Sequence, residues 1–202
     1  MSRPGVLLDR DGTLVDFHRD AELGAVVSAF HPDQLRLLPG VVEGLSALAA
    51  AGFTLAIATN QPGAAKGQLP RDAIERTNAA LVARLAGRGV PIAAVAVCLH
   101  HPEGGPGGDG SLVGPCACRK PAPGMLTRLV AELDLDPARS FMIGDADIDV
   151  AAAHAAGLRA ALVVDPRRCE LCPHRLAPVA AAPEICGAPL DEIARAILAS
   201  RA

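Results

Sequence analysis

Apolar positions recur along this chain in two periods, and the two periods take turns. Val6–Leu8 is a short apolar run that stops at Asp9 and reads as a buried strand. Val41–Ala51 begins after Pro39-Gly40 and stops at Gly52, the punctuation of a helix. Phe53–Thr59 (Phe-Thr-Leu-Ala-Ile-Ala-Thr) predicts a second strand. Arg71–Leu85 predicts a helix, with Pro70 near its start and Gly87 and Gly89 near its end. Ala94–Leu99 predicts a third strand. After Pro123, Leu126, Leu129, Val130 and Leu133 recur at i, i+3, i+4 and i+7, one face of a helix. Phe141–Ile143 predicts a fourth strand, Ile148–Ala156 a helix closed by Gly157, and Ala160–Val164 a fifth strand. Leu190, Ile193, Ala194, Ile197 and Leu198 share one face of a last helix, at about residues 190–200. Strands and helices in alternation build a mostly parallel sheet covered on both faces. The expectation is an α/β protein of three layers, one domain over residues 1–202, without internal repeats or a linker.

Composition narrows this picture. Half of the 202 residues are hydrophobic, with four Phe and neither Trp nor Tyr, so the core must be built from Ala, Val, Leu and Ile. The net charge is −3 and no basic run stands out, which leaves a nucleic-acid partner without electrostatic support. No apolar stretch approaches the ~20 residues of a membrane helix. The apolar run at Val6–Leu8 is too short for a secretory signal, so a cytoplasmic location is expected. Six cysteines in such a chain point to metal binding before disulfides.

The chemistry gathers where the strands end. Asp9-Arg10-Asp11-Gly12-Thr13-Leu14 follows the first strand. In extended chain, residues i and i+2 share a face, so Asp9 and Asp11 are expected to project together from the carboxyl end of that strand. Open α/β sheets place their sites at that end. Two like charges held close need a shared proton or a cation, which suits a nucleophile beside a general acid with a divalent metal in reach. Ala58-Thr59-Asn60-Gln61 ends the second strand, where a hydroxyl and backbone N–H groups can meet phosphoryl oxygens. Ile143-Gly144-Asp145-Ala146-Asp147-Ile148-Asp149 follows the fourth. Gly144 permits a tight turn, and Asp145 then faces the same cleft with hard oxygens suited to Mg²⁺. Asp149, one helical turn on, is placed to orient a metal-bound water or Lys120. Asp147 reads as a solvated or helix-start charge, and His154 as a packing or surface residue.

A different donor set brackets the Gly/Pro-rich segment Gly104–Pro115. Cys98-Leu99-His100 leaves the third strand, fifteen residues intervene, and Cys116-Ala117-Cys118 returns. Three thiolates and one imidazole make a closed tetrahedral zinc site, with no position open for water or substrate. His101 competes for the imidazole place. His100 is preferred because it shares a face with Cys98 in extended chain. Zinc here would staple a loop, residues 98–118, that is too glycine-rich to order itself by burial. It would also fix Arg119-Lys120, whose planar fork and point charge suit phosphate oxygens.

These four segments, over about residues 6–165, resemble the motifs of the haloacid dehalogenase (HAD) superfamily of aspartate-nucleophile phosphatases. The string Cys98-Leu-His-His-Pro, followed by Cys116-Ala-Cys-Arg-Lys-Pro-Ala-Pro-Gly-Met-Leu126, is similar to its zinc-containing subfamily. That subfamily holds the D-glycero-D-manno-heptose 1,7-bisphosphate 7-phosphatases and the histidinol-phosphate phosphatase domain. Thr59-Asn-Gln-Pro-Gly-Ala-Ala-Lys-Gly67 resembles the Thr-Asn-Gln-Ser-Gly-x-x-Arg-Gly of the heptose enzymes. The resemblance implies a Rossmann-like HAD fold and hydrolysis of a sugar phosphate monoester through an aspartyl-phosphate. Heptose bisphosphate is the first expected substrate and histidinol phosphate the alternative. A zinc-dependent binding module without catalysis is the reading from a different class. By the same resemblance Asp9 is the nucleophile and Asp11 the general acid/base, while Thr59 and Lys120 stabilise the phosphoryl group. Mg²⁺ falls to Asp9, the Asp11 carbonyl and Asp145, and zinc to Cys98, His100, Cys116 and Cys118. Arg119 contacts substrate, the segment Phe17-His18-Arg19-Asp20 falls where the heptose enzymes contact theirs, and Arg10, Asn60, Gln61 and Pro62 complete the expected substrate contacts.

About 38 residues separate the first motif from the second strand, too few for a helical cap beyond the helix they already contain. An open site with short loops and no large cap suits a small phosphorylated substrate and argues against a mutase, which must exclude water. A monomer without nucleic-acid or membrane partners is expected. The chain departs from the heptose pattern at Lys66, in place of Arg, and at Ala146, where Lys is frequent. Lys66 lacks the bidentate fork, and Ala146 removes a phosphate contact. Cys169, Cys172, His174 and Cys186 in the tail suit either a second zinc site or a reduced cysteine cluster.

Overall fold

Six parallel strands form the centre of the computed structural model, which describes residues 2–20, 22, 24–164 and 182–200. Their order is β5(Ala94–Cys98), β4(Thr54–Asn60), β1(Gly5–Leu8), β6(Phe141–Gly144), β7(Arg159–Val163) and β8(Ile185–Gly187). Leu8 pairs with Ile57 on one side and with Ile143 on the other, so β1 is buried between neighbours. The chain runs outward from β1 to β5, then returns to β6 and runs outward the other way. The crevice at that reversal, between β1 and β6, is where doubly wound sheets bind ligands.

Strand alternation sorts the core into two layers. Val6, Leu8, Leu55, Ile57, Phe141 and Ile143 face α1(Val41–Ala50), α2(Arg71–Ala86) and α5(Leu190–Ala199). The opposite face carries Leu7, Ala56, Ala58, Ala96, Met142 and Ala160. Their small side chains let α3(Gly124–Glu132) and α4(Asp147–Ala155) pack close through Leu126, Leu129, Val150, Ala152 and Ala153. Ala56, Ala58, Ala96 and Ala160 make this face of the sheet shallow. Gly40 (φ +74°) and Gly44 let α1 meet Asp191 and Leu190 at the start of α5, where a Cβ would clash.

The principal strands and helices fall where the apolar periods place them, within one or two residues. Three-residue strands do not. β2(His18–Asp20) and β3(Ala25–Val27) form an antiparallel pair between β1 and α1, where the apolar periods predict no element, and β8 extends the sheet beyond the predicted fifth strand. A run that short carries no readable period. This hairpin and one 3-10 turn, Pro32–Gln34, are the regular structure between β1 and α1 among the described residues, so there is no large cap. No helix among the described residues is long and apolar enough to cross a membrane.

Candidate active site

Asp9 leaves β1 with its N–H still donating to the Ile143 carbonyl at 2.9 Å, which fixes it against the end of β6. Lys120 arrives from the far end of the cysteine loop, 2% exposed. Its Nζ donates to Asp9 Oδ1 at 2.7 Å and to the Ala58 carbonyl at 2.8 Å, and pairs with Asp149 Oδ1 at 2.6 Å. Two of the three ammonium donors are thereby in hydrogen bonds, and the Asp149 contact is an ion pair. Burial alone would lower the Lys120 pKa, but the Asp149 and Asp9 carboxylates outweigh it and hold the ammonium charged. The Lys120 backbone is clamped as well. Asn60 Nδ2 donates to its carbonyl at 3.0 Å, and its N–H donates to Asn60 Oδ1 at 3.1 Å.

Asp145 follows β6 and stands opposite. Donor oxygens of Asp9, Asp145 and Asp149 lie within 4.8 Å of one another. Burial and the facing Asp9 and Asp149 carboxylates push the Asp145 carboxyl up to about 8, and burial pushes Asp149 up to about 6. Such a cluster of hard oxygens is short of positive charge and fits a divalent cation such as Mg²⁺. Two glycines make it possible. A Cβ on Gly12, which has φ +86°, would lie 2.0 Å from Asp145 Oδ2, and one on Gly144 would lie 2.2 Å from Asp149 Cγ. Asp149 Oδ2 also accepts the Ala146 N–H at 3.2 Å, closing the first turn of α4. The Asp11 carboxylate is outside this group; the donor expected from Asp11 is its carbonyl.

Asp11 has different company. Arg10 Nε donates to its Oδ2 at 3.1 Å and Arg10 Nη2 to its Oδ1 at 3.0 Å. Gln61 Nε2 donates to Asp11 Oδ2 at 2.6 Å and to Thr59 Oγ1 at 3.0 Å. Because Thr59 accepts that bond, its own hydroxyl proton is left to donate elsewhere. Burial raises the Asp11 pKa above the ordinary carboxylate range, and Arg10 and Gln61 only partly offset it.

Three residues expected at the substrate are therefore committed inside the protein. Arg10 is 1% exposed and grips Asp11, Gln61 is 3% exposed and orients Asp11 and Thr59, and Asn60 holds the Lys120 backbone. Sequence position puts them in the right segments but says nothing about which way each amide or guanidinium turns. Phe17, His18 and Pro62 are half-buried and Arg19 is exposed. Arg119 Nη1 donates to the His100 carbonyl at 3.2 Å, so it braces the cysteine loop.

The second cluster assembles as the spacing predicts. Cys98 Sγ lies 3.8 Å from Cys116 Sγ, 3.0 Å from Cys118 Sγ and 3.8 Å from His100 Nδ1. Zn–S bonds of about 2.3 Å in a tetrahedron separate sulfurs by about 3.8 Å, so these donors fit zinc. The thiols are free. Burial and the adjacent Cys118 push the Cys98 thiol well up, a strain that a bound cation removes. His101 is occupied elsewhere: its Nδ1 accepts the Gly104 N–H at 3.0 Å. The loop then docks on the segment after β4. Asp109 N–H donates to the Ala64 carbonyl at 3.0 Å, Arg71 pairs with Asp109, and a Cβ on Gly108 would stand 2.0 Å from the Ala65 carbonyl oxygen. Glycine in this loop allows backbone to lie on backbone. Of the tail donors, Cys169, Cys172 and His174 lie outside the described residues, and Cys186 is exposed in β8.

A parallel sheet that reverses beside β1, with an aspartate at that strand's end facing a buried lysine and further carboxylates, defines a class of hydrolase. A HAD-hydrolase-like family model matches residues 117–168. The chain belongs to the HAD-like phosphatases, which are phosphoric monoester hydrolases. It is 36% identical over 163 residues to the D-glycero-beta-D-manno-heptose-1,7-bisphosphate 7-phosphatase of Pasteurella multocida, covering 80% of this chain and 82% of that one. The Escherichia coli K12 enzyme of the same name is 34% identical over 164 residues, covering 81% and 80%. A crystal structure of D,D-heptose 1,7-bisphosphate phosphatase from B. bronchiseptica, complexed with magnesium and phosphate, superposes with a TM-score of 0.73 at 28% identity, over 98% of this chain and 99% of that one. Catalysis, rather than an inert zinc module, is the reading these relatives favour.

Proposed function

We propose that this chain is a Mg²⁺-dependent phosphatase that removes the 7-phosphate of D-glycero-D-manno-heptose 1,7-bisphosphate. The observation that carries the chemistry is the Lys120–Asp9 pair at the mouth of the crevice, with Nζ 2.7 Å from Oδ1. A phosphate monoester dianion repels a carboxylate, and the fixed charge of Lys120 offsets that repulsion. Asp9 attacks phosphorus in line and forms an aspartyl-phosphate. Thr59 donates its free hydroxyl proton to a phosphoryl oxygen. Asp11 protonates the leaving alkoxide, then takes a proton from the water that cleaves the aspartyl-phosphate. Asp9, Asp145 and the Asp11 carbonyl hold Mg²⁺, with Asp149 beside them, and the bound ion supplies further charge neutralisation.

Cys98, His100, Cys116 and Cys118 hold a structural zinc that fixes Arg119 and Lys120. Phe17, His18, Arg19, Asp20, Pro62 and Arg119 offer the sugar contacts around an uncapped site. Residues 1–202 act as one domain, a monomer working in the cytoplasm on a small substrate. The relatives' names support the heptose assignment. A substrate panel tests it: the heptose bisphosphate is turned over well above histidinol phosphate, and only with Mg²⁺. Equal turnover of both, or of histidinol phosphate alone, overturns the assignment. Asp9→Asn abolishes phosphate release from either compound, and release that survives removes the aspartyl-phosphate mechanism.

A further inference from the structure

Among the described residues Arg10 is the largest fully buried side chain, and it is charged. It stands between the two motif aspartates but cannot reach substrate from inside the core. Four of its hydrogen bonds have definite partners. Two go to the Asp11 carboxylate, one runs from Nη1 to Asn78 Oδ1 of α2 at 2.8 Å, and one from Nη2 to the Ala29 carbonyl at 3.0 Å. Ala29 lies on the segment that returns from the β2–β3 hairpin. Its neighbour Phe30 is pinned to the same helix, its carbonyl accepting from Thr77 Oγ1 at 2.9 Å.

We propose that Arg10 is a positioning residue: it aims the Asp11 carboxyl at the leaving oxygen, taking its reference from α2 and from the hairpin's return segment. The inference rests on the reading of Asp11 as the proton donor. A carboxyl on two rotatable bonds has several staggered orientations. A planar fork that meets both of its oxygens selects one, which a lysine's point charge does not. Asn78 and Ala29 fix the fork in turn, so the orientation of Asp11 is set by elements distant in sequence. Gln61 grips the same carboxylate from β4 and ties it to Thr59. Misplacement of a reacting group by about 1 Å can cost about 100-fold in rate.

The leaving group separates positioning from mere support. Sugar alkoxide needs a proton as it departs, whereas p-nitrophenolate leaves without one. The measurement is kcat/KM in saturating Mg²⁺ for the sugar phosphate and for p-nitrophenyl phosphate, because kcat/KM reports the step that forms the aspartyl-phosphate. Arg10→Lys keeps the buried charge and Asn78→Ala removes a neutral acceptor, so both variants are expected to fold. Arg10→Lys should lower the sugar-ester value about 10- to 100-fold and the aryl-ester value less than about 3-fold. Asn78→Ala should show the same selectivity with a smaller loss, and Asp11→Asn the same selectivity with a larger one. Selectivity in Asp11→Asn but equal losses on both esters, or none, in the other two overturns the role of Arg10 and leaves Asp11 as donor. Equal losses in Asp11→Asn itself overturn the donor reading and the proposal together.

Discussion

Two clusters of metal-type donors stand at opposite ends of Lys120, and they are built on opposite principles. Asp9, Asp145 and Asp149 come from the ends of two neighbouring strands and the first turn of a helix, so the sheet itself sets their separation. Cys98, His100, Cys116 and Cys118 come from the two ends of one loop, whose arms also meet where the His101 N–H donates to the Leu112 carbonyl and the Gly114 N–H to the His101 carbonyl, each at 3.1 Å. Hard oxygens around a crevice suit an ion that keeps its waters and meets substrate. A full set of three thiols and an imidazole suits an ion that meets nothing else. On the proposed function, one cluster would do chemistry on a rigid frame, and the other would make a loop rigid enough to deliver a lysine. Lys120 belongs to both, since its backbone follows the thiols and its ammonium pairs with the carboxylates.

Breaking the shared element should have the largest effect. Lys120→Met leaves Asp9 and Asp149 buried without their cation, a loss of about 3–5 kcal/mol. The metal-free variant should melt roughly 10 °C below wild type by calorimetry, and its kcat/KM should fall at least about 100-fold. A melting point unchanged from wild type would show that the carboxylates do not depend on Lys120.

Next comes the loop. Cys118→Ser should reduce zinc, measured by metal analysis, from one per chain to none, with lower thermal stability and an unchanged Mg²⁺ requirement. One zinc retained in that variant would place the ion at the tail cysteines instead.

Gly12→Ala sharpens the other cluster. Its Cβ would displace the Asp145 carboxylate and strain a backbone at φ +86°, so half-maximal activity should need about 10-fold more Mg²⁺, roughly 1.4 kcal/mol of binding. An unchanged Mg²⁺ titration would separate Asp145 from the metal.

The smallest effect concerns pH. Asp145 at about 8 and Asp149 at about 6 both lie above their unfolded values. Between about pH 4 and pH 8 the metal-free native state therefore binds more protons than the unfolded one, and its stability falls as pH rises. A melting temperature that falls across that window, read by calorimetry in metal-free buffer, is expected. Added Mg²⁺ should flatten it; a profile that rises with pH without metal would contradict the crowding of these carboxylates.

Much of this was legible in the residues. The strands ending at Asp9, Thr59 and Asp145 and the helices between them follow from apolar period and from glycine and proline punctuation. The Cys98–Cys118 bracket is legible because four donors at the ends of one glycine-rich loop have few other uses. The hairpin at His18–Val27 was not, since three residues per strand give no period. Neither were the internal hydrogen bonds of Arg10, Asn60 and Gln61. Their place in a motif suggests contact with substrate, but Arg10 and Gln61 are buried on Asp11 and the partly buried Asn60 holds the Lys120 backbone.

The motifs resemble those of the HAD-like phosphatases, and the sequence by itself determined which segments end at the crevice and which donor chemistry each carries. Local periodicity and residue type suffice for that, because strand ends and ligand sets are written in contiguous stretches. The pairing of Asp149 with Lys120 is one of two roles its spacing already suggests; only the tertiary structure decided that Gly12 and Gly144 make room for facing carboxylates and that Arg10 forks onto Asp11 from within the core. These depend on distances between residues far apart in the chain, and such distances are fixed by how sheet and helices pack rather than by any one segment.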